Sequence, residues 1–467
     1  MFKFKKLFIF SLLSALILTS GLGCQSSEDA KIKEATKPIT LVYWRVFDGK
    51  DAFDDIINAY RASHPFINFE YRKLRYEEYE QELLEAFAED RGPDIFSIHN
   101  TWVNAYKSKI TPVPAKITMA YQTSSGGFGQ AAEVSLKEKS SISLKQLRDN
   151  FPDIIAKDIV LTDYDENIKK NVQNIYGLPL SLDTMVMFYN RDLLNAAKIP
   201  QAPANWRDFQ QAVAKLTKQD KDGNLIQSGT ALGTSNNVER SFDIVSLLMM
   251  QNGTKMTDEK GSISFDKMPT GLSGRSVPPG QEALIFYTDF ASPSKEVYSW
   301  NESMQNNLTA FTQGKVAFFF GYSYHIPTIR ANAPKLNLGI AKMPQIEGAP
   351  EINYANYWFE VISKKSPNQA AAWDFVQFAT DAAQVSKYLN KAKRPAALRS
   401  LIATQIDDLD MGTFAAQTLT AESWYRGNNS TGAEDAFASM ISSVVNKEVE
   451  IKDAIDLAAR RVANTLR

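Results

Sequence analysis

The chain has 467 residues, with 44% hydrophobic residues, 22% charged residues and a formal net charge of -1. This length suits two or three domains with ordinary cores, and the near-neutral charge argues against a general nucleic-acid binder, which shows a basic excess. One cysteine and three histidines exclude an internal disulfide and leave too few ligands for a typical transition-metal site. We therefore expect no metal and no cofactor.

The start of the chain has the pattern of an export signal. Three lysines precede a mainly apolar run over 7–18, and the lone Cys24 follows Gly23. The run is shorter than the roughly 20 residues of a membrane span, which disfavours a retained helix. The site resembles a bacterial lipobox, which implies a signal peptide over 1–23 and a lipid on Cys24. The polar residues 24–38 lack periodicity and predict a flexible tether.

Strand and helix patterns alternate from residue 39 onward. Short apolar or alternating runs indicate strands, and apolar residues at i, i+3, i+4 and i+7 indicate the core face of helices. In chain order the pattern predicts a strand at 39–44, a helix at 53–60, a strand at 67–71, a helix at 76–87 and a strand at 95–98. This order is typical of an α/β sheet with helices on its faces.

Residues 115–150 interrupt this regularity. They contain a Ser-Ser-Gly-Gly run and a stretch rich in serine and lysine, which predict an insertion or a long loop. Farther on, Asp222-Gly223 predicts a hairpin turn. A calcium loop there would require glycine and glutamate where Leu225 and Ala231 stand.

Helix signals continue through the second half of the chain. Asn205 is a predicted cap with Asp208 at the third helical position, and Ser366 to Gln369 match a capping box. Apolar periodicity predicts two late helices, over 437–445 and 451–462.

Four stretches occur in a fixed order along the chain. They are Ile39–Trp44 with Gly92-Pro93-Asp94-Ile95, Tyr176-Gly177-Leu178-Pro179 through Asn205-Trp206, Phe311–Ala317 with Gly339–Pro344, and Ser423-Trp424-Tyr425 with the C-terminal helices. Together they resemble the extracellular solute-binding proteins of ABC importers, the large family that includes the maltose-type sugar binders. The resemblance covers nearly the whole chain after the tether, except 115–150. It implies an α/β, two-lobed periplasmic-binding-protein-like fold (type II), with a ligand cleft between lobes joined by a hinge.

The resemblance also implies where the chain passes between the lobes. By analogy the crossings lie near Ser181–Asp183, Met343–Pro344 and Lys393–Pro395. The first lobe would then comprise 39–181 plus 345–392, including the insertion, and the second 182–344 plus 393–467.

Sugar sites combine aromatic faces with a few placed polar groups. Strand ends, where α/β sheets bind ligands, and positions that match the family together give nine candidate ligand contacts. They are Trp44, Asn100, Trp102, Asp183, Tyr322, Tyr324, Trp358, Arg394 and Trp424. Asp183 could instead be a hinge or cap residue, and Arg394 could form a structural ion pair. The bulk of Trp358, where the family frequently has a Gly-Gly pair just before the strand, predicts a smaller or differently shaped cleft.

The resemblance implies a binding protein and not an enzyme, so we assign no catalytic residues. We expect a lipid-anchored receptor at the cell surface or in the periplasm, which delivers a small solute to an ABC permease complex. A carbohydrate is favoured, with peptides, polyols, glycerol-phosphate-like solutes and nucleosides as alternatives. We expect a monomer that binds no nucleic acid. The competing hypotheses are a surface adhesion or structural protein on the same fold and a secreted carbohydrate-active enzyme.

Overall fold

A computed structural model describes residues 27–123, 133–272 and 274–467. The predicted signal peptide and Cys24 lie outside these residues. The buried apolar side chains form two separate clusters, each built around one five-stranded sheet. We call the two units the first lobe and the second lobe, in the order in which the chain enters them. The predicted two-lobed α/β fold is confirmed.

The sheet of the first lobe has the order β2-β1-β3-β16-β4. Its strands are β1 (Ile39–Val46), β2 (Ile67–Leu74), β3 (Ile95–His99), β4 (Ile110–Thr111) and β16 (Trp358–Ser363). Strand β1 runs parallel to β2 and β3, whereas β16 runs antiparallel to β3. The C-terminal ends of β1 and β3 therefore meet the N-terminal end of β16 at one edge.

Helices cover the faces of this sheet, and the helices predicted near 53–60 and 76–87 are confirmed. The helices are α2 (Asp54–Arg61), α3 (Tyr76–Ala88), α4 (Val103–Tyr106), α5 (Leu144–Asn150), α6 (Asp153–Ile159), α13 (Gln369–Ala379), α14 (Ala382–Ala392) and α15 (Arg399–Gln405). Three 3-10 turns accompany them, at Lys50–Ala52, Asn100–Trp102 and Lys107–Lys109. A hairpin of β7 (Val160–Asp165) and β8 (Lys170–Ile175) follows α6.

The sheet of the second lobe has the order β11-β12-β13-β10-β14. Its strands are β10 (Val186–Asn190), β11 (Lys218–Gln219), β12 (Leu225–Thr230), β13 (Val316–Gly321) and β14 (Leu338–Ala341). Its helices are α7 (Arg191–Ala196), α8 (Trp206–Leu216), α9 (Ser241–Gln251), α10 (Pro279–Asp289), α11 (Asn307–Thr312), α12 (His325–Asn332), α16 (Gly412–Gln417), α17 (Ser430–Val445) and α18 (Ile451–Thr465). The predicted cap is present, because the side chain of Asn205 accepts from the backbone N–H of Asp208.

A third, small sheet joins the two lobes. It consists of β9 (Asp183–Thr184), β15 (Asn353–Asn356) and β17 (Ala421–Glu422), with β15 in the middle, and a 3-10 turn at Thr418–Thr420 precedes β17. The first predicted crossing coincides with β9, whereas the other two predicted crossings precede β15 and β17 along the chain. Ala396, Leu398 and their neighbours pack in the first cluster.

Described residues in two segments that were predicted to lack regular structure form a helix and paired strands. Residues Ser27–Ala35, within the predicted tether, form helix α1. It has acidic residues in its first turn and Lys33 in its last turn, a charge pattern that complements the helix dipole. The helix is mostly exposed, and its sequence accordingly shows no apolar periodicity. In the predicted 115–150 insertion, β5 (Lys116–Thr123) and β6 (Glu133–Ser140) pair as antiparallel strands, and α5 follows. The alternation of Ile117, Met119 and Tyr121 packs these strands onto the first cluster.

The predicted capping box at Ser366 is wrong. Helix α13 begins at Gln369, its N-cap is Asn368, and no side chain caps it. The hydroxyl of Ser366 instead accepts from the backbone N–H of Asn368 and donates to the carboxylate of Asp94. The returning half of the box is also absent, because the backbone N–H of Ser366 donates to the carbonyl oxygen of Ser363.

Candidate functional site

A cavity of about 550 Å³ lies between the two lobes. The first lobe contributes residues from the meeting edge of β1, β3 and β16 and from α3. The second lobe contributes the segment before α9, the start of α12 and the start of α17. The cavity is therefore at the carboxyl edge of parallel strands, where open α/β sheets bind ligands.

Aromatic rings form one wall of the cavity. Trp102 follows β3 and Trp358 begins β16, and their ring centroids lie 5.1 Å apart at an angle of 72°. Trp358 pairs with His99 across the sheet, so antiparallel register brings the two tryptophans to the same edge. Two predicted ligand contacts that are far apart in the sequence thus form one surface. Trp358 lines the cavity, and the smaller or differently shaped cleft that its bulk predicts stays a prediction.

Phe47 is a cavity residue that the sequence analysis missed. It follows β1, has a φ of 68° and is 41% exposed. Its ring stacks on Tyr76 with centroids 5.9 Å apart and lies parallel to Tyr324 of the second lobe. A left-handed backbone is unfavourable for a bulky residue and often marks a functional site. Its only signal in the sequence is its place at a strand end, directly before Asp48-Gly49.

A network of buried charges forms the first-lobe end of the cavity. Arg45 is 4% exposed and lies between Asp48, at 3.0 Å, and Glu360, at 3.2 Å. Arg394 lies 3.7 Å from the other carboxylate oxygen of Asp48. This predicted ligand residue therefore forms the structural ion pair that was the alternative to ligand binding. Burial raises the pKa of Glu360, against the lowering effect of Arg45. Tyr388 donates to Asp48 at 2.9 Å and closes the network.

A second charged network lies on the opposite wall. Arg240 precedes α9 with a φ of 58° and donates to both carboxylate oxygens of Asp243 at 2.8 Å. It also lies 3.4 Å from Glu434 of α17, whose pKa burial raises. Beside it, Glu239 is hydrogen-bonded to His325 at 3.1 Å, which lowers the pKa of that carboxyl. In both networks, the arginines at the cavity are already paired with carboxylates.

Asp183 lines the cavity at the joining sheet, with its carboxylate held by the second lobe. One oxygen accepts from the backbone N–H and the hydroxyl of Ser323, at 3.0 and 2.6 Å, and the other accepts from the N–H of Thr184 at 2.9 Å. Burial raises the pKa of Asp183 to about 6 in spite of these hydrogen bonds. Asp183 therefore lines the cavity from the sheet that joins the lobes, and its hinge or cap role stays a prediction.

His99 adds a neutral polar group to the wall. Its ring nitrogens lie 2.8 Å from the hydroxyl of Thr101 and 3.1 Å from the amide oxygen of Asn356. Burial, together with the charge of Arg240, lowers the pKa of His99 to about 4. The imidazole is therefore uncharged near pH 7, with its hydrogen bonds already made.

The structure places five of the nine predicted contacts on the cavity wall, namely Trp102, Asp183, Tyr324, Trp358 and Arg394. The other four lie behind it and have partners of their own. Trp44 packs under the guanidinium of Arg72, Asn100 donates to Asp158, Tyr322 donates to Asp243 and Trp424 donates to Ser246. Each is at most 5% exposed. Their contact with a solute stays a prediction.

The two lobes touch beside the cavity. The indole N–H of Trp102 donates to the hydroxyl of Ser430 at 3.1 Å, and Arg426 is paired with the buried Asp158 at 2.7 Å. Burial raises the pKa of Asp158, although Arg426 and three hydroxyl or amide donors act against this effect. These contacts hold the lobes around the cavity.

None of the helices in residues 27–123, 133–272 and 274–467 is long and apolar enough to cross a membrane. Within the same residues, no group of three or more histidine, cysteine, aspartate or glutamate side chains is arranged to hold a metal ion.

Comparison with known proteins agrees with this architecture. Residues 48–386 match the family model described as bacterial extracellular solute-binding protein. The galactooligosaccharide-binding protein of Bacillus subtilis (strain 168) is 21% identical over 465 residues, which cover 97% of this chain and 96% of that protein.

Solved structures share the fold. The cyclic alpha-maltosyl-1,6-maltose binding protein from Arthrobacter globiformis superposes with a TM-score of 0.70 at 17% identity, covering 92% of this chain and 99% of that one. The sugar-binding protein MalE from Xanthomonas citri gives a TM-score of 0.68 at 17% identity, covering 92% and 97%.

Proposed function

Since this chain belongs to the family of bacterial extracellular solute-binding proteins, we propose that it is a receptor that binds a carbohydrate between its lobes. The family implies a location at the cell surface or in the periplasm. The matched relatives are binding proteins rather than enzymes, as the sequence predicted.

One observation carries the proposal of a sugar. Aromatic faces and hydrogen-bonding groups from both lobes converge on a single cavity, with Phe47, Trp102 and Trp358 on one side and Tyr324 on the other. The C–H faces of a sugar ring pack on aromatic planes, and its hydroxyls need both donors and acceptors. The neutral polar residues Asn356 and Ser181 also line this cavity. The same class is supported by the relatives described above, a galactooligosaccharide-binding protein and a cyclic alpha-maltosyl-1,6-maltose binding protein.

The receptor works by a shift in population between open and closed lobes. A solute that touches both walls interacts fully only with the closed form, so its binding energy favours closure. A shift from 1:99 to 99:1 requires about 10⁴-fold tighter binding to the closed form. The three short connections at β9, β15 and β17 would provide the hinge. We place the lobe boundaries at these strands.

Delivery and anchoring extend the proposal. We propose that Cys24 carries the lipid that the lipobox resemblance implies, and that the closed receptor docks as a monomer on the permease complex of an ABC importer. Labelling of cells with a radioactive fatty acid tests the anchor, with Cys24→Ser as the control. Label that persists in Cys24→Ser would contradict the assignment.

Calorimetric titration of the purified protein with galacto-oligosaccharides, maltodextrins, polyols, peptides and nucleosides tests the ligand class. A sugar should bind with micromolar or tighter affinity, and at 100 times its Kd it should add about 2.7 kcal/mol to the free energy of unfolding. The double variant Phe47→Ala/Trp358→Ala should lose this binding while remaining folded. Folded protein that binds no sugar would contradict the proposal, and it would favour the adhesion alternative.

A further inference from the structure

The cavity wall carries an excess of carboxylates, and this bears on which sugars it can hold. Six lining residues are acidic and three are arginines. The acids are Asp48, Glu77, Glu80, Asp183, Glu239 and Glu434. They come from both lobes, so a bound solute faces negative charge on each side. His99 adds no positive charge near pH 7.

The three arginines are not free to meet an anion. Arg45 is paired with Asp48 and Glu360, Arg240 with Asp243 and Glu434, and Arg394 with Asp48. Removing a carboxylate partner from a buried arginine leaves an uncompensated charge, which is strongly unfavourable. An anionic solute would therefore have to compete with carboxylates that are already in place.

The acidic excess is concentrated on one helix face and on the wall opposite it. Glu77 and Glu80 are three residues apart on α3, on the same face of that helix. Within the described part of the chain neither forms an ion pair, and burial raises the pKa of Glu80. Across the cavity, Glu434 is 40% exposed and 3.4 Å from Arg240. Glu77 and Glu80 are therefore available to a ligand, whereas Glu434 is already paired with Arg240.

We propose that the cavity selects by charge: it admits neutral and amine-bearing sugars and rejects sugars that carry carboxylate or phosphate groups. The inference rests on the proposed sugar-binding function and narrows its ligand class. Like charges brought together in a partly desolvated site oppose binding strongly. Ammonium groups would be attracted by the same carboxylates. Glycerol-phosphate-like solutes, an alternative left open by the sequence, are excluded by this reasoning.

Two pairs of disaccharides with matched linkages test the proposal by calorimetry at low salt. We expect digalacturonate to bind about 100-fold more weakly than galactobiose, on the scale of like-charge repulsion across a binding site. The chitosan dimer, with two amines, should bind at least as tightly as cellobiose. Digalacturonate binding within about threefold of galactobiose, or more tightly, would overturn the proposal, as would a clear preference for cellobiose over the chitosan dimer.

Charge-neutral variants identify the residues responsible. Glu77→Gln/Glu80→Gln should raise the affinity for digalacturonate relative to that for galactobiose by about tenfold, which corresponds to 1.4 kcal/mol. Glu166→Gln/Glu259→Gln removes the same charge from exposed sites outside the cavity and should leave this relative affinity unchanged. An equal gain in both double variants would show a general charge effect and contradict the local one.

The outcomes also separate this inference from the receptor proposal. Binding of neutral sugars together with equal binding of acidic ones leaves the receptor intact and refutes charge selection. Tight binding of digalacturonate alone refutes charge selection but still establishes a sugar receptor. If none of the four probes and no sugar of the wider panel binds folded protein, both proposals fail.

Discussion

The ring of Phe47 in the first lobe lies parallel to the ring of Tyr324 in the second, at an interplanar angle of 1° and with centroids 6.4 Å apart. The pair spans the cavity, so a change in the angle between the lobes separates the two rings. A sugar ring would therefore be close to both aromatic rings only when the lobes are closed. Under the proposed function, this pair would contact a sugar ring and would form only when the lobes are closed.

Substitutions at Phe47 should separate binding from stability. Phe47→Ala removes the stacking face, and we expect sugar affinity to fall by about tenfold or more, since an aromatic contact contributes about 0.5–1.5 kcal/mol beyond its area. Phe47→Gly should lose the same affinity. It should also be more stable than Phe47→Ala by about 1 kcal/mol, because glycine adopts the positive φ of 68° without strain.

Calorimetry and urea unfolding of these variants check both effects. Phe47→Tyr is the control that retains a ring and should keep affinity within about threefold. Equal affinity of Phe47→Ala and the unaltered protein would exclude Phe47 from the site.

The tryptophans should divide into cavity and core residues. Trp358→Leu should raise the Kd for sugar by about tenfold or more, because the ring lines the cavity. Trp424→Phe should instead lower the free energy of unfolding by about 1–3 kcal/mol, since it leaves the hydroxyl of Ser246 without its indole donor. Its Kd should stay within about threefold. Loss of sugar affinity in Trp424→Phe but not in Trp358→Leu would instead support Trp424 as the ligand contact that the sequence predicted.

Ser430→Ala should weaken closure without weakening the fold. It removes the acceptor for the indole N–H of Trp102, a contact that joins the lobes at 3.1 Å. Loss of about 1 kcal/mol from the closed form should weaken sugar binding by about fivefold. Small-angle scattering should show a larger radius of gyration without sugar. As a control, Ser443 lies on the same helix, and its hydroxyl donates to the carbonyl oxygen of Met440. Ser443→Ala should change neither the affinity for sugar nor the radius of gyration.

Asp183 should make stability depend on pH in a defined direction. Its folded pKa of about 6 lies above the roughly 3.9 of an unfolded aspartate. The folded protein therefore binds more protons between these values, and stability falls as pH rises from about 4 to 6. Above that pH range, this one group lowers the free energy of unfolding by about 3 kcal/mol relative to its value below the range.

Urea unfolding at pH 4 and pH 7 tests this dependence. Asp183→Asn carries no titrating group, so its stability relative to the unaltered protein should be more favourable at pH 7 than at pH 4. The exposed Asp222→Asn should show no such difference. A relative stability of Asp183→Asn that is constant with pH would refute the assignment.

Local sequence patterns predicted most of the fold because they depend on near neighbours. The helix at Asp54–Arg61 follows from apolar spacing, and the cap at Asn205 follows from one side chain and one N–H three residues away. The same reasoning failed at Ser366, which precedes the N-cap residue Asn368 by two positions, and it missed helix α1, which has no apolar face to detect. The family resemblance supplied the two lobes, which periodicity alone does not give.

The sequence by itself determined the class of fold, the strand ends where a ligand site forms and the residue types available there. Only the tertiary structure decided which of those residues face the cavity. Trp44 and Phe47 lie three residues apart near one strand end, yet Trp44 is buried and Phe47 is exposed to the cavity. The difference arises from a backbone turned to positive φ and from partners such as Tyr324, hundreds of residues away. Such pairing depends on how whole sheets meet, which no local pattern records.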